Sequence, residues 1–247
     1  MFELKREPLF LKGKPAMFLK AEQTVVIGDV HIGVESKYVE QGIHFPNAAQ
    51  RVASQINEIC RETKAKRVVF LGDIKERIGF MTPEEKMVLY GFFRRIECEE
   101  IVVTRGNHDA RLGELLEGFE KKVEIVKEFL VGDFALMHGN ALPSREAMRK
   151  RFIVTGHVHP ALRGFEQIEK IWMIADAGKW ARIDYPDCNK KIKLVIAPAF
   201  SDLVLGSGID ETTKRRMPML KNDLFEFGSA RVYNLDGKLL GRAGKLI

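Results

Sequence analysis

Cysteine is scarce in this chain of 247 residues: Cys60, Cys98 and Cys188 are scattered, odd in number and never spaced as CxxC. That excludes a disulfide framework and a thiolate-bound zinc module, and it fits a reducing cytoplasm, the compartment we expect. Long apolar runs are missing too. The longest, such as 67–71, are strand-sized, against the roughly 18–20 residues that a membrane span needs. The opening Met1-Phe2-Glu3-Leu4-Lys5-Arg6 has no hydrophobic stretch of the export type, so no membrane partner is expected. There is no repeat at solenoid periods, no low-complexity tract and no Pro/Ser-rich linker, so residues 1–247 are expected to form a single domain.

What is present is ordinary globular material, 45% hydrophobic and 30% charged, which excludes a disordered chain. Lys and Arg outnumber Asp and Glu by 40 to 34, a net charge of +6. This excess is compatible with a polyanionic partner, nucleic acid included, but is too small to establish one. A homo-oligomer is equally compatible with the composition.

Short β-branched runs recur, each ending in a glycine or polar residue. Val25-Val26-Ile27 leads to Gly28-Asp29, Val68-Val69-Phe70-Leu71 to Gly72-Asp73, and Ile101-Val102-Val103 to Gly106-Asn107-His108. Phe134-Ala135-Leu136-Met137 leads to His138-Gly139, and Phe152-Ile153-Val154 to Gly156-His157. Such runs read as fully buried strands. Between them, 46–64 carries apolar residues on one helical face. Thr82-Pro83-Glu84-Glu85 reads as an N-cap, a first-turn proline and a capping-box glutamate, opening a helix to about 96. A third short helix is expected within 109–118. Alternating strands and helices indicate an α/β fold. Beyond 162, the runs 171–175, 192–197, 224–227 and 231–235 read as strands with no clear helix between them, a second sheet closing with a hairpin turn at Asp236-Gly237. The basic run 214–216 reads as a solvated loop, and 145–151 is a second basic segment.

Five of the six histidines, His31, His108, His138, His157 and His159, follow a strand directly, together with Asp29, Asp73, Asn107 and Asp109. Strand carboxyl ends are where open α/β sheets bind ligands. So many carboxylates and imidazoles at one edge would be badly desolvated unless something positive sat among them. Mixed oxygen and nitrogen donors without thiolate suit Mn, Fe or Zn. Seven donors from this group already exceed the need of one tetrahedral ion, whereas two ions bridged by one carboxylate would use seven. His44 lies outside every motif and reads as a loop or helix-entry residue.

In this order, Gly28-Asp29-Val30-His31, Gly72-Asp73, Gly106-Asn107-His108-Asp109, His138-Gly139 and Gly156-His157-Val158-His159 resemble the calcineurin-like metallophosphoesterase superfamily. Residues 28–33 and 156–160 look most like archaeal, ICC-like phosphoesterases related to the SbcD-type nuclease. The motifs cover 28–160, just over half the chain. The resemblance implies an αββα fold, a two-sheet β-sandwich flanked by helices. It also implies two divalent ions, Mn foremost with Fe, Zn, Ni or Mg as alternatives. Asp29, His31 and His159 would hold one ion, Asn107, His138 and His157 the other, and Asp73 would bridge them. His108 would be the catalytic acid, with Asp109 supporting it. One departure stands out: relatives of the protein-phosphatase branch carry Asp-Arg-Gly where this chain has Glu76-Arg77-Ile78, so Arg77 is expected in a surface ion pair. The expected activity is hydrolysis of a phosphate ester by a metal-bridging hydroxide, most simply a phosphodiesterase with a nucleotide or nucleic-acid substrate. The alternatives are a phosphomonoesterase acting on a small metabolite and a non-catalytic interaction module.

Overall fold

A computed structural model describes residues 9–39, 41–163 and 168–246; the N-terminal stretch read above for an export signal lies outside them. The first sheet holds β1 (Leu9–Phe10), β2 (Ala16–Leu19), β3 (Thr24–Ile27), β4 (Arg67–Phe70), β5 (Glu100–Thr104) and β6 (Val123–Val126) in that spatial order. Its first three strands run antiparallel, and β3 to β6 are parallel. The second sheet is built from β7 (Glu128–Val131), β8 (Phe134–Met137), β9 (Phe152–Thr155), β10 (Ala161–Arg163), β11 (Ile168–Asp176), β12 (Lys193–Ile196), β13 (Arg231–Asn234) and β14 (Leu239–Arg242). Its order is β14-β13-β11-β12-β9-β8-β7, with β10 paired to β11 and a parallel centre of β8, β9 and β12.

The helices are α1 (Ser36–Val39), α2 (Ala48–Thr63), α3 (Pro83–Arg95), α4 (Leu112–Leu115), α5 (Arg145–Met148), α6 (Lys179–Asp184), α7 (Glu211–Arg216) and α8 (Pro218–Lys221). Alternation along each strand sorts the core into three layers. Val26, Val69 and Val102 of the first sheet meet Leu136, Val154 and Trp172 of the second in a dry middle layer. Val25, Ile27, Val68 and Phe70 face the other way, onto Ile56 and Ile59 of α2 and Phe92 and Phe93 of α3. Ile153, Leu194 and Ile196 face outward onto Met148 of α5, Ala181 of α6 and Met219 and Leu220 of α8. This is the αββα sandwich expected from the motifs.

The capping box is formed as read: Glu85 N donates to Thr82 Oγ1 at 3.2 Å, and Thr82 N donates to Glu85 Oε2 at 2.7 Å. Four expectations need correction. The second sheet already begins at β7 and takes β8 and β9 from the first half of the chain. The run 224–227 makes only an isolated bridge, Phe225 to Ala177; its Leu224, Phe225 and Phe227 plug the outer core instead of pairing along their length. Helices do occur beyond 162, but α6, α7 and α8 are too short to write a 3.6-residue pattern. The basic run 214–216 is thus the last turn of α7 rather than a loop, whereas 109–118 does hold the expected short helix, the single turn α4.

Trp172, 2% exposed, is the largest side chain in the layer between the sheets. Trp172→Ala is expected to cost about 3–5 kcal/mol of unfolding free energy in a urea titration.

Candidate metal centre

Strands from both sheets end at one place. β3, β4 and β5 run into Asp29, Asp73 and Asn107-His108-Asp109; β8 and β9 run into His138 and into His157 and His159. Backbone donors aim the carboxylates across the gap. His157 N donates to Asp29 Oδ2 at 3.0 Å, tying the two sheets together, and His108 N donates to Asp73 Oδ1 at 2.9 Å. Two glycines make room for this. A Cβ on Gly156 would overlap Asp29 Oδ2, and one on Gly106 would overlap Asp73 Oδ1. The turns themselves are strained: Asp29, His31, Asp73, His157 and His159 all have φ between 45° and 75°, a region that costs non-glycine residues energy.

The side chains converge with their acceptor atoms facing one another. His138 Nδ1 donates to Leu71 O at 2.7 Å, so in the neutral ring Nε2 carries the lone pair that a metal would take. Around that nitrogen stand Asn107 Oδ1 at 3.1 Å, Asp73 Oδ2 at 3.3 Å and His157 Nδ1 at 3.0 Å. His157 Nε2 donates to Arg216 O at 3.2 Å, so its Nδ1 is a lone pair as well. On the other side, His31 Nε2 and His159 Nε2 lie 3.3 Å apart, with Asp29 Oδ1 3.3 Å from His159 Nε2 and Asp73 Oδ2 3.8 Å from His31 Nε2. Facing lone pairs and buried carboxylates repel one another unless a cation or proton lies between them, so the donor set fits divalent metal. All seven expected ligands are thereby brought together.

Other residues fall into distinct places. Asp109 is buried, and its two oxygens accept from Ile74 N and Gly106 N, each at 2.8 Å, so it braces the Asp73 and Asn107 turns rather than touching the His108 ring. His108 Nδ1 donates to Glu76 O at 2.5 Å. Glu76, unassigned in the sequence reading, places Oε2 2.8 Å from His31 Nδ1, off the line of an aligned hydrogen bond, and ion-pairs with Lys37. Its only sequence signal was its place three residues after Asp73. Arg77 pairs with Glu85 at 2.6 Å on the surface, as expected, and His44 sits exposed in a loop. The end of α7 abuts the centre through Arg216 O, whereas Arg149, Lys150 and Arg151 precede β9, at the strand end opposite His157.

A model of the calcineurin-like phosphoesterases matches residues 23–184. The chain belongs to that family. It is a metal-dependent phosphoesterase, a hydrolase of ester bonds. The solved nuclease MPE from Pseudomonas putida shares the fold, with TM-score 0.60 at 17% identity over 93% of this chain and 96% of that one. More distant likenesses are the E. coli phosphoesterase Yfce (TM-score 0.42, 14% identity, 89% and 97% covered) and an archaeal phosphodiesterase (TM-score 0.37, 14% identity, 71% and 83% covered). No curated protein sequence matches the chain. Among the described residues no helix is long and apolar enough to cross a membrane.

Before metal binds, protons balance the charge of the phosphoesterase's centre. Burial alone would raise the Asp29 and Asp73 carboxyls, but both stay below the usual carboxylate range: His159, His138 and His31 lower Asp29, and His138, the His108 backbone N–H and His31 lower Asp73. Burial disfavours the His138 cation, yet Asp73 and Asp29 outweigh it and raise His138 to about 9. His157 is pushed down to about 4 by burial and by the neighbouring His138. Burial raises Asp109 against its two backbone donors. At neutral pH, His138 of the metal-free protein is therefore protonated, and an incoming ion must displace that proton. Metal uptake is expected to release protons and to tighten as pH rises from 6 toward 9. Calorimetry of manganese binding in two buffers of different ionisation enthalpy checks this; a buffer-independent enthalpy would contradict it.

Proposed function

We propose that this phosphoesterase is a phosphodiesterase that works with two divalent ions sharing Asp73. The observation that carries the reading is how the donors group. Asp29, His31, Asp73 and His159 form one set and Asp73, His138 and His157 another, with the ligand atoms of each within 4.8 Å of one another. Asp29, His31 and His159 would hold one ion; His138, His157 and Asn107 would hold the other. Manganese is the first choice for an oxygen and nitrogen donor set without thiolate, with Fe, Zn, Ni and Mg as alternatives. Ions bound there neutralise phosphate charge and make water acidic enough to react near neutral pH.

The chain's own groups do the rest. With Nδ1 donating to Glu76 O, His108 presents Nε2 toward the centre, 4.0 Å from Asp73 Oδ2. As an imidazolium it gives the Nε2 proton to the departing alkoxide as the P–O bond breaks. Asn107, exposed at the mouth, has its amide N–H left to hold a nonbridging phosphate oxygen, a bond that strengthens as charge builds there. Asp109 is a positioning residue for both turns. We read residues 1–247 as one domain, since β11 to β14 and α6 to α8 complete the second sheet and its cover, and the three free cysteines accord with a cytoplasmic setting. The Pseudomonas putida fold relative being a nuclease makes nucleotide and nucleic-acid diesters the first substrates to try.

The test strips the protein with chelator, restores manganese, and compares bis-p-nitrophenyl phosphate with the monoester. Preference for the diester is expected; preference for the monoester would replace this reading with a phosphomonoesterase. His108→Ala is expected to keep its metal content while losing about 10²–10⁴-fold in rate on alkyl leaving groups, and far less on p-nitrophenolate. Wild-type turnover of alkyl esters by that variant would remove the acid assignment.

A further inference from the structure

Phe80 is the most exposed of the large apolar side chains among the described residues, at 79%. One of its faces is already covered. The guanidinium carbon of Arg111 lies 4.2 Å from the ring centroid, and Arg111 is held in place by Glu114 Oε2, 2.8 Å from Nε and 2.7 Å from Nη2. At 79% exposure the rest of the ring is free.

Both members of this stack hang from the metal centre. Glu76, which contacts His31 and His108, lies four residues before Phe80, a span of at most about 14 Å. Arg111 lies three residues after His108, at a left-handed turn with φ 65°. The loop between Glu76 and Phe80 is tied down by an unusual device. Lys75 is only 1% exposed, and its ammonium donates to the carbonyls of Arg77 and Gly79. A buried lysine spent on loop carbonyls is costly unless the loop's shape matters. The loop is thus tied down by Lys75 directly before it offers its ring.

We propose that the Phe80–Arg111 pair is a stacking platform for a nucleobase of a single-stranded nucleic-acid substrate whose scissile phosphate sits at the metal centre. The proposal rests on the phosphodiesterase reading and names its substrate class. A planar ring backed by a guanidinium offers one flat face and a nearby positive charge, the pairing that holds a base and its backbone together. A duplex keeps its base faces stacked inside, and a small phosphorylated metabolite without a ring has no face to offer. The platform therefore selects an unpaired strand, by stacking rather than by reading its sequence. The net charge of +6 assists the approach of that strand.

The test measures binding by the full-length, manganese-loaded protein, using labelled phosphorothioate oligo(dT), which resists turnover, and an abasic strand of equal length. Phe80→Ala is expected to weaken oligo(dT) binding about tenfold, the worth of one base stack, while leaving the abasic strand unaffected. Phe80→Trp is expected to retain affinity and to show indole fluorescence quenched by oligo(dT) but not by the abasic strand. Unchanged oligo(dT) affinity in Phe80→Ala, equal losses on both strands, or no oligo(dT) binding by the wild type would each overturn the platform. So would light scattering that finds a wild-type dimer and a Phe80→Ala monomer, since the ring would then face a second copy. Hydrolysis of bis-p-nitrophenyl phosphate is scored separately, so the platform and the phosphodiesterase reading fail on different measurements.

Discussion

Two carboxylates buried with no lysine or arginine in ion-pair reach set the terms for this protein. Asp29 and Asp73 are 1% and 2% exposed, and among the described residues their charged neighbours at ion-pair distance are all histidines. Such a pair costs several kcal/mol in a low-dielectric site unless cations or protons offset it. Without metal, the offset comes from imidazoles that take up protons; with metal bound, it comes from the metal. Stability, pH response and chemistry are therefore one problem at this site, and a change to any of the surrounding histidines is felt in all three.

The sandwich exists, in effect, to hold that cluster under strain. Five donors sit at left-handed φ values, which isolated strand ends would relax. They stay there because the turns follow buried strands and are hydrogen-bonded to one another, as when His157 N reaches Asp29 from the opposite sheet. Neither sheet alone has the full set: the first supplies the aspartates, Asn107 and His31, the second His138, His157 and His159. Residues that touch no ligand are drawn into the same task. Asp109 ties two turns together, Leu71 and Arg216 fix the tautomers of His138 and His157 through their carbonyls, and Glu76 steadies both His31 and His108.

Legibility in the sequence followed the range of the interactions. The capping box at Thr82 and the buried strand runs are local patterns, and they appeared as read. The seven donors were legible because each follows its strand within a few residues, so strand order carried them to one edge. The short helices α6 to α8 left no periodic trace, and the apolar run at 224–227 looked like a strand because burial between layers and burial within a sheet use the same residues. Glu76 was missed because its partners, His31 and His108, lie far from it in sequence.

By itself, then, the sequence determined an α/β fold, the ends of the central strands and the chemical types of the donors, since buried apolar runs and motif order are properties of short segments, while the two-sheet layering rested on the family resemblance. Only the tertiary structure decided which lone pairs face one another, which nitrogen of each histidine is free, that the end of α7 rather than 145–151 borders the centre, and that Phe80 stands open beside Arg111. Those are contacts between segments dozens of residues apart. Their geometry depends on how two twisted sheets pack, which no local pattern encodes.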